Sequence, residues 1–592
     1  MAEQQVVGVS DRSEKEAHVA EHFEHGVDTK GNLSYEHEEE EPELHMRTYV
    51  ALLSMWLLNL VQVLALQGPP AVLNYIGEDL KGSAYQTWVP NSLSLVQAVL
   101  GPVISSASDA FQARKIILVG SCVVSFVGSA IAPGSQSIGR LIAAQTLIGF
   151  GFAAVPLAYC VPSEILPRRW RPMAQAVINV AAALGAISGP MAIGGLVHRD
   201  PVNGWRNFYW IQFALWGATA LGIQFGYKPP KRRTVLDELS LWQKIGKLDL
   251  IGFALLTTGL ALLLTGLNLG GGLYPWASGN TLGPLVVGAV VLVAFGLYEW
   301  KGTKTGILNH ELFQGGKAQG RTFTLCVFLI FIEGILLFSY VIFYPVLTEN
   351  LYEADPLLLV ARAQPYWIAA GLMTCIYGYA STKLRSIRGP LGVGFLILTA
   401  GTIGFATLQP GQSTIAVVMS GFSGVGFGAP LVLIVAGVHL SAPHHLIATA
   451  TAVTTSARAV AATVFTAIYA ASFSSRAATL VPAHVASAAV GAGLSPDALP
   501  EFIPAFLEKQ ESALAAITGV TPAVLAAAAG GAKQGIADSL RVVYMIAAPF
   551  GAVAVIACFF MGDLSKTMNY IVEAPVEDLH AKLNPDKLDE KA

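Results

Sequence analysis

Charge is scarce in this chain. Only 13% of its 592 residues are Asp, Glu, Lys or Arg, about half the share of a typical soluble domain, which excludes a water-covered globule of this size. The charge that is present nearly cancels, to a net −3, leaving no basic surface for a nucleic acid. Cysteine is equally sparse. Cys122, Cys160, Cys326, Cys375 and Cys558 stand singly in apolar runs, without CxxC or metal-ligand spacing, so they read as small core residues. No GxxxxGK[ST] loop and no Ser-His-Asp set in a soluble domain occurs. An ATP-driven pump and an enzyme are therefore excluded, no cofactor or metal is expected, and any pumping must draw on an ion gradient. The opening residues MAEQQVVGVSDRSEKEAHVAEHFEHG lack the apolar core of a signal peptide, so the first spanning helix must direct insertion.

What is abundant is apolar sequence, 53% of the chain. It falls in blocks near or above the roughly 20 residues that cross a bilayer core as a helix, which predicts an all-α polytopic membrane protein with about fourteen spans. The blocks lie at 48–70, 86–107, 115–133, 138–161, 173–197, 205–227, 248–268, 281–300, 322–347, 363–381, 389–408, 413–439, 446–472 and 540–561. The expected organisation is a disordered tail over 1–46, a six-helix half over 47–227, and an inner loop with two extra helices over 228–300. A second six-helix half follows over 301–562, with a long outer loop at 473–539, and a tail over 563–592 closes the chain. His18, His22, His25, His37 and His45 in the first tail read as solvated rather than as metal ligands.

An even number of spans puts both termini on one side, and basic residues choose the cytoplasmic one. The inner loops then carry Arg114-Lys115, Arg168-Arg169-Arg171, Lys231-Arg232-Arg233 and Lys383-Arg385-Arg388, against only Lys81, Arg199, Arg206 and Arg362 in the short outer loops. The sequon at Asn32 is cytoplasmic and unused on this topology. Within 473–539, PEFIPAFLEKQESALAAI has amphipathic helical spacing suited to lying on the protein or the interface. The pair His444-His445 falls in a short inner loop and reads as solvated.

Polar residues inside the blocks are costly in lipid unless they face the bundle interior. Asn59 and Gln62 share one face of the first span, which also carries Gln67; Gln97, Asn179 and Gln212 follow in the second, fifth and sixth spans. The ninth holds Glu333 with Tyr340 and Tyr344, and the thirteenth holds Arg458 halfway along. Amides and hydroxyls facing inward describe a substrate pathway, although the same residue types also serve helix-to-helix hydrogen bonding. A buried Glu333 is suited to taking and releasing a proton, whereas Arg458 keeps its charge and must pair or pack.

The motifs resemble the major facilitator superfamily, and within it the fourteen-span fungal drug:proton antiporters that include the trichothecene efflux pumps and the siderophore-iron transporters. The resemblance spans residues 48–562. Ile76, Asp79, Leu80 and Trp88 match that group's segment after the first span, and SDAFQARK matches its gate motif through Asp109, Phe111, Arg114 and Lys115. SEILPRRWR supplies Glu164, Pro167 and Arg171 after the fourth span. GPMAIGG, through Gly189, Pro190 and Gly194, resembles the antiporter motif, and GWRNFYWIQ resembles the entry to the sixth span. Four positions depart from the pattern: the first-span acid is Ala65, the gate Gly and first Arg are Gln112 and Ala113, and the fourth-span Arg aligns with Gln145.

The resemblance implies a rocker-switch carrier, expected as a monomer in the plasma membrane or the vacuolar membrane, with both termini cytoplasmic. Its partners are a small-molecule substrate, a proton and the lipid bilayer. Asp109, Arg114, Glu164 and Arg171 are expected to form the gate, and Glu333 to couple the proton. Three functions stand side by side: proton-driven export of a small, largely apolar secondary metabolite or toxin, proton-driven uptake of a ferric siderophore, and ligand sensing without transport.

Overall fold

The computed structural model describes residues 35 and 37–582, apart from 230–248, 271–272, 304–305, 308, 315–318 and 354. The sequon at Asn32 and His18, His22 and His25 lie outside the described residues. Among the described residues the chain is helical, with two isolated bridges and no strand. Each apolar block coincides with helix, because a backbone in lipid must satisfy its own N–H and C=O groups.

The helices are α1 (Met46–Gln67), the short α2 (Leu73–Asp79), α3 (Trp88–Phe111) and α4 (Arg114–Ile131). After them come α5 (Ile138–Ala153) with its continuation α6 (Val155–Ile165), α7 (Arg171–Arg199), α8 (Gly204–Gly226), α9 (Leu250–Gly270) and α10 (Gly279–Leu297). The later ones are α11 (Gly320–Leu351), α12 (Pro356–Leu384), α13 (Arg388–Ala406), α14 (Ser413–Ser441), α15 (Ile447–Gly491), α16 (Leu499–Leu507), α17 (Glu511–Ala516) and α18 (Pro522–Phe559). Among the described residues, 12 helical segments are long and apolar enough to cross a membrane. The helices α8 and α12, of 23 and 29 residues, are long enough but less apolar.

Two groups of six form. In the first, α1 packs on α7 and α8, α3 on α5, and α4 on α5 and α8; in the second, α14 lies between α12 and α13, and α18 contacts α11, α13 and α15. The groups meet along α7 against α12 and α3 against α15, while the α9–α10 hairpin rests outside against α3 and α15. Small residues permit these approaches. A Cβ on Gly185 or Gly189 of α7 would come within 2.6 Å of the Leu60 carbonyl oxygen or 2.9 Å of that of Leu64 on α1. On the other side of α7, a Cβ on Gly371 or Gly378 of α12 would meet Ala183 at 2.8 Å or Ala176 at 2.7 Å. Gly185 and Gly189 thus let α7 sit close against α1, whereas among the described residues a Cβ on Gly194 would meet Leu357 alone, at 4.0 Å.

Segment 473–539 differs from the expectation of a loop. α15 and α18 run on as continuous helix to Gly491 and back to Pro522, and α16 packs on them through Val481, Val485, Phe502 and Val524 in a small separate core. Alanine-rich sequence of modest hydropathy still favours helix, so both helices persist past their apolar stretches. The amphipathic segment noted in the sequence becomes α16 and α17, with α16 lying on the protein.

At the opposite face the two ends of the chain meet. Tyr35 and Val572 exchange both backbone hydrogen bonds, at 3.1 and 2.9 Å, and Pro42 pairs with Ala581. Within the described part of the first tail, Tyr35, Pro42 and Glu43 thus lie against the last tail.

Candidate gate and transport pathway

On the face where the tails meet, the turn between α3 and α4 brings Asp109 and Arg114 together. Gln112 caps α3 with φ 50, a left-handed conformation that costs a non-glycine residue roughly 1 kcal/mol, at the position where the resembling motif carries Gly. Arg114 Nη1 donates to Asp109 Oδ1 at 2.9 Å, its Nε donates to Glu164 Oε2 at 2.7 Å, and its Nη2 donates to Glu164 Oε1. The guanidinium thus ties α3 to the end of α6 with two-pronged geometry that a lysine could not supply. The other oxygen of Asp109 crosses to the second group: it accepts from the Thr449 backbone N–H at 2.8 Å and from the Thr449 hydroxyl at 2.7 Å. These lie at the start of α15, where N–H groups lack helical partners, and such a cap contributes about 0.5–2 kcal/mol.

Arg171 makes the second crossing. Its Nε donates to the Ser163 carbonyl at 3.0 Å and its Nη1 to the carbonyl of His439, at the end of α14. The His439 ring is fully buried, with Nδ1 2.7 Å from Ser163 Oγ and Nε2 2.7 Å from Thr451 Oγ. Gln175 completes this cluster, donating to Ser163 Oγ at 2.8 Å and to the Tyr159 carbonyl at 2.7 Å. All four sequence-expected gate residues therefore gather on one face, closed across both groups. His439 and Gln175 were not singled out in the sequence, though a lone His in the apolar run VAGVHL was a visible signal.

Glu333, near the middle of α11, meets Arg458 in the first third of α15; Arg458 Nε donates to Glu333 Oε2 at 2.7 Å. Glu333 is wholly buried, whereas the Arg458 side chain retains 20% exposure. Gly334 makes this possible, since a Cβ there would lie 2.9 Å from the Arg458 carbonyl. Among the described residues, Glu333 Oε1 and Arg458 Nη2 are buried without a hydrogen-bond partner. The pair stands within electrostatic reach of Tyr159 on α6, and Asn179 Oδ1 lies 3.3 Å from the Tyr159 hydroxyl that donates to it. Asn59 of α1 also touches Tyr159 and donates to the Ile178 carbonyl at 2.8 Å. Asn59, Asn179, Glu333 and Arg458 are thus brought to one place, around a tyrosine the sequence reading passed over.

The remaining candidates separate. Gln62 donates to the Gly151 carbonyl at 2.7 Å inside the first group, and Gln145 to the Tyr209 hydroxyl at 2.9 Å. Gln212 is buried, and neither amide atom has a hydrogen-bond partner among the described residues. Gln67 and Gln97 are half-buried. Tyr340 lies in an aromatic stack, 4.0 Å from Tyr366 and 4.8 Å from Tyr344 between ring centres, with its hydroxyl 2.7 Å from Ser420 Oγ. It packs the second group's core. On the face away from the tails, Asp79 accepts from Trp205 Nε1 at 3.2 Å and Arg206 Nη1 at 2.6 Å, joining two of the motif segments. His444 is not simply solvated: its Nδ1 lies 2.7 Å from Glu573 Oε2, whereas His445 is exposed.

Residues 37–590 match the family described as the fungal trichothecene efflux pump. Over 552 residues the chain is 25% identical to a transporter from the acurin A biosynthesis cluster of Aspergillus aculeatus, covering 92% of this chain and 93% of that one. It is 27% identical over 401 residues to a transporter of the major facilitator type from an Acremonium species, covering 66% and 64% of the two chains. The fold resembles the solved structure of a proton:xylose symporter of the major facilitator superfamily, with a TM-score of 0.53 at 12% identity over 88% of this chain and 98% of that one. With the motif segments assembled as described, this chain belongs to the fungal trichothecene efflux pump family, a family of membrane transporters and not of enzymes.

Proposed function

We propose that this chain exports a small, largely apolar organic compound in exchange for protons, by alternating access between its two six-helix groups. On this reading α8 and α12 also cross the membrane, giving fourteen spans, and the gate face with both tails is cytoplasmic in the plasma membrane. The chain acts as a monomer. The observation that carries the proposal is the wholly buried Glu333 near the middle of α11, paired with Arg458 in the first third of α15. An intramembrane carboxylate held by one cation is a natural proton site, because protonating Glu333 cancels its hold on Arg458 and couples proton binding to a change in helix contact. The missing first-span acid, Ala65, leaves Glu333 to do this alone. Gln67 and Gln97 supply amides for the compound, and Asp109, Arg114, Glu164 and Arg171 hold the cytoplasmic gate shut in the outward-open state. Neutralising Glu333 or Asp109 then reduces flux.

The test is retention of labelled toxins and ferric siderophores in a transporter-depleted host, with and without this protein and an uncoupler. Uncoupler-sensitive loss of an organic toxin supports the proposal. Uncoupler-sensitive gain of a siderophore makes the chain an importer, and binding without flux makes it a sensor.

A further inference from the structure

The gate described so far is short of negative charge. Arg168 and Arg171 enter it from the start of α7, and His444 enters from the turn before α15, while Asp109 and Glu164 are both engaged by Arg114. The balancing carboxylate comes from the C-terminal tail. Glu573 Oε1 accepts from Arg168 Nε at 2.7 Å, and its Oε2 accepts from Arg171 Nη2 at 2.5 Å and lies 2.7 Å from His444 Nδ1. Glu573 therefore touches the first group through two arginines and the second group through His444. It is also nearly buried, with 9% of its side chain exposed. Burial pushes its carboxyl up, and Arg171, His444 and Arg168 more than offset this, holding it well below the usual carboxylate range.

The tail is threaded into place on both sides of this residue. The Arg168 N–H donates to the Ile571 carbonyl at 3.1 Å, the Arg169 N–H to that of Asn569 at 2.7 Å, and the Ala574 N–H to that of Glu164 at 3.0 Å. Arg169 also stacks over Tyr570, 5.1 Å from its ring centre, and donates to its hydroxyl at 2.7 Å. From the other side, Tyr35 pairs with Val572, and Glu577 accepts from the His45 N–H at 2.9 Å and from the Thr48 hydroxyl.

We propose that Glu573 is a gate-positioning residue: the C-terminal tail locks the closed gate by bridging Arg168 and Arg171 of one group to His444 of the other. Opening the gate parts Arg171 from His439 and Asp109 from Thr449, and one carboxylate cannot then keep hold of both groups. Glu573 biases the switch toward the closed form by the interactions it makes only there. The inference rests on the gate reading above and extends it to a segment outside the membrane helices.

Cys160 reports on this directly. It is fully buried in the closed form and lies beside Arg114, Glu164 and Asp109. In the purified full-length chain with Cys122, Cys326, Cys375 and Cys558 replaced by Ala, the rate of N-ethylmaleimide attachment to Cys160 measures gate opening, and monodisperse elution confirms folding. Glu573→Gln is expected to raise that rate about tenfold, the scale of one lost charge-assisted hydrogen bond, and a chain ending at residue 562 is expected to match it. Asp109→Asn is the reference for an opened gate. If Asp109→Asn accelerates labelling while Glu573→Gln and the shortened chain keep the parent rate, the tail is a bystander and the inference fails. Acceleration by shortening alone would assign the effect to steric cover and also refute a role for the Glu573 charge. Failure of Asp109→Asn to accelerate labelling would instead overturn the gate reading beneath it.

Discussion

Glu333→Gln removes the charge facing Arg458 while keeping nearly the same shape. The guanidinium then keeps its charge where Nε loses its ionic acceptor and Nη2 already lacks a hydrogen bond among the described residues. Breaking a buried ion pair from one side costs about 3–5 kcal/mol, since the surviving charge is left uncompensated. Arg458 retains 20% exposure, so the lower end, about 3 kcal/mol, is expected. Arg458→Gln leaves Glu333 free to protonate and should cost less, and the double variant should recover most of the loss, because two neutral amides can bond to each other across the same gap. A thermal-denaturation cycle on the purified wild type, both single variants and the double variant reads this coupling. Additive losses would refute the claim that the two residues act as one unit.

Gly185→Val forces a side chain against the Leu60 carbonyl and is expected to destabilise the protein by about 1–3 kcal/mol, whereas Gly195→Ala, with open space around its Cβ, should be neutral or slightly stabilising in the same thermal assay. The lowered pKa of Glu573 fixes the pH response of the tail. The pKa of its carboxyl is depressed in the folded state, so its contribution is fully present above the ordinary value of 4.5, weakens as pH falls below that and is gone below the lower folded value. Hydrogen exchange at Val572 and Ala574, corrected for intrinsic rates, should show constant protection from neutral pH down to the ordinary carboxyl value of 4.5 and a progressive loss below it; release near neutrality would contradict the bridge.

How much of this was legible in the sequence follows from what each signal depends on. Apolar runs bounded by charge or Gly located α13 and α14 within a few residues, because desolvation acts on the run itself. The far ends of α15 and α18 were missed, since their alanine-rich extensions are helical without being apolar. Glu333 and Arg458 each stood out as a charge in an apolar block, but their contact spans 125 positions and is set by tertiary approach at Gly334. Tyr159 was hidden because an aromatic residue in a span carries no mark of function. Glu573 was hidden for the opposite reason: a glutamate in a polar tail looks solvated until the fold places two arginines over it.

Export driven by proton movement through Glu333 can be read in vesicles reconstituted with the purified chain and given an imposed pH gradient. Transport of a labelled compound identified by the retention screen should follow the gradient, collapse when an ionophore dissipates it, and lose its dependence on the gradient in Glu333→Gln. Gradient-driven transport that persists unchanged in Glu333→Gln would contradict the account.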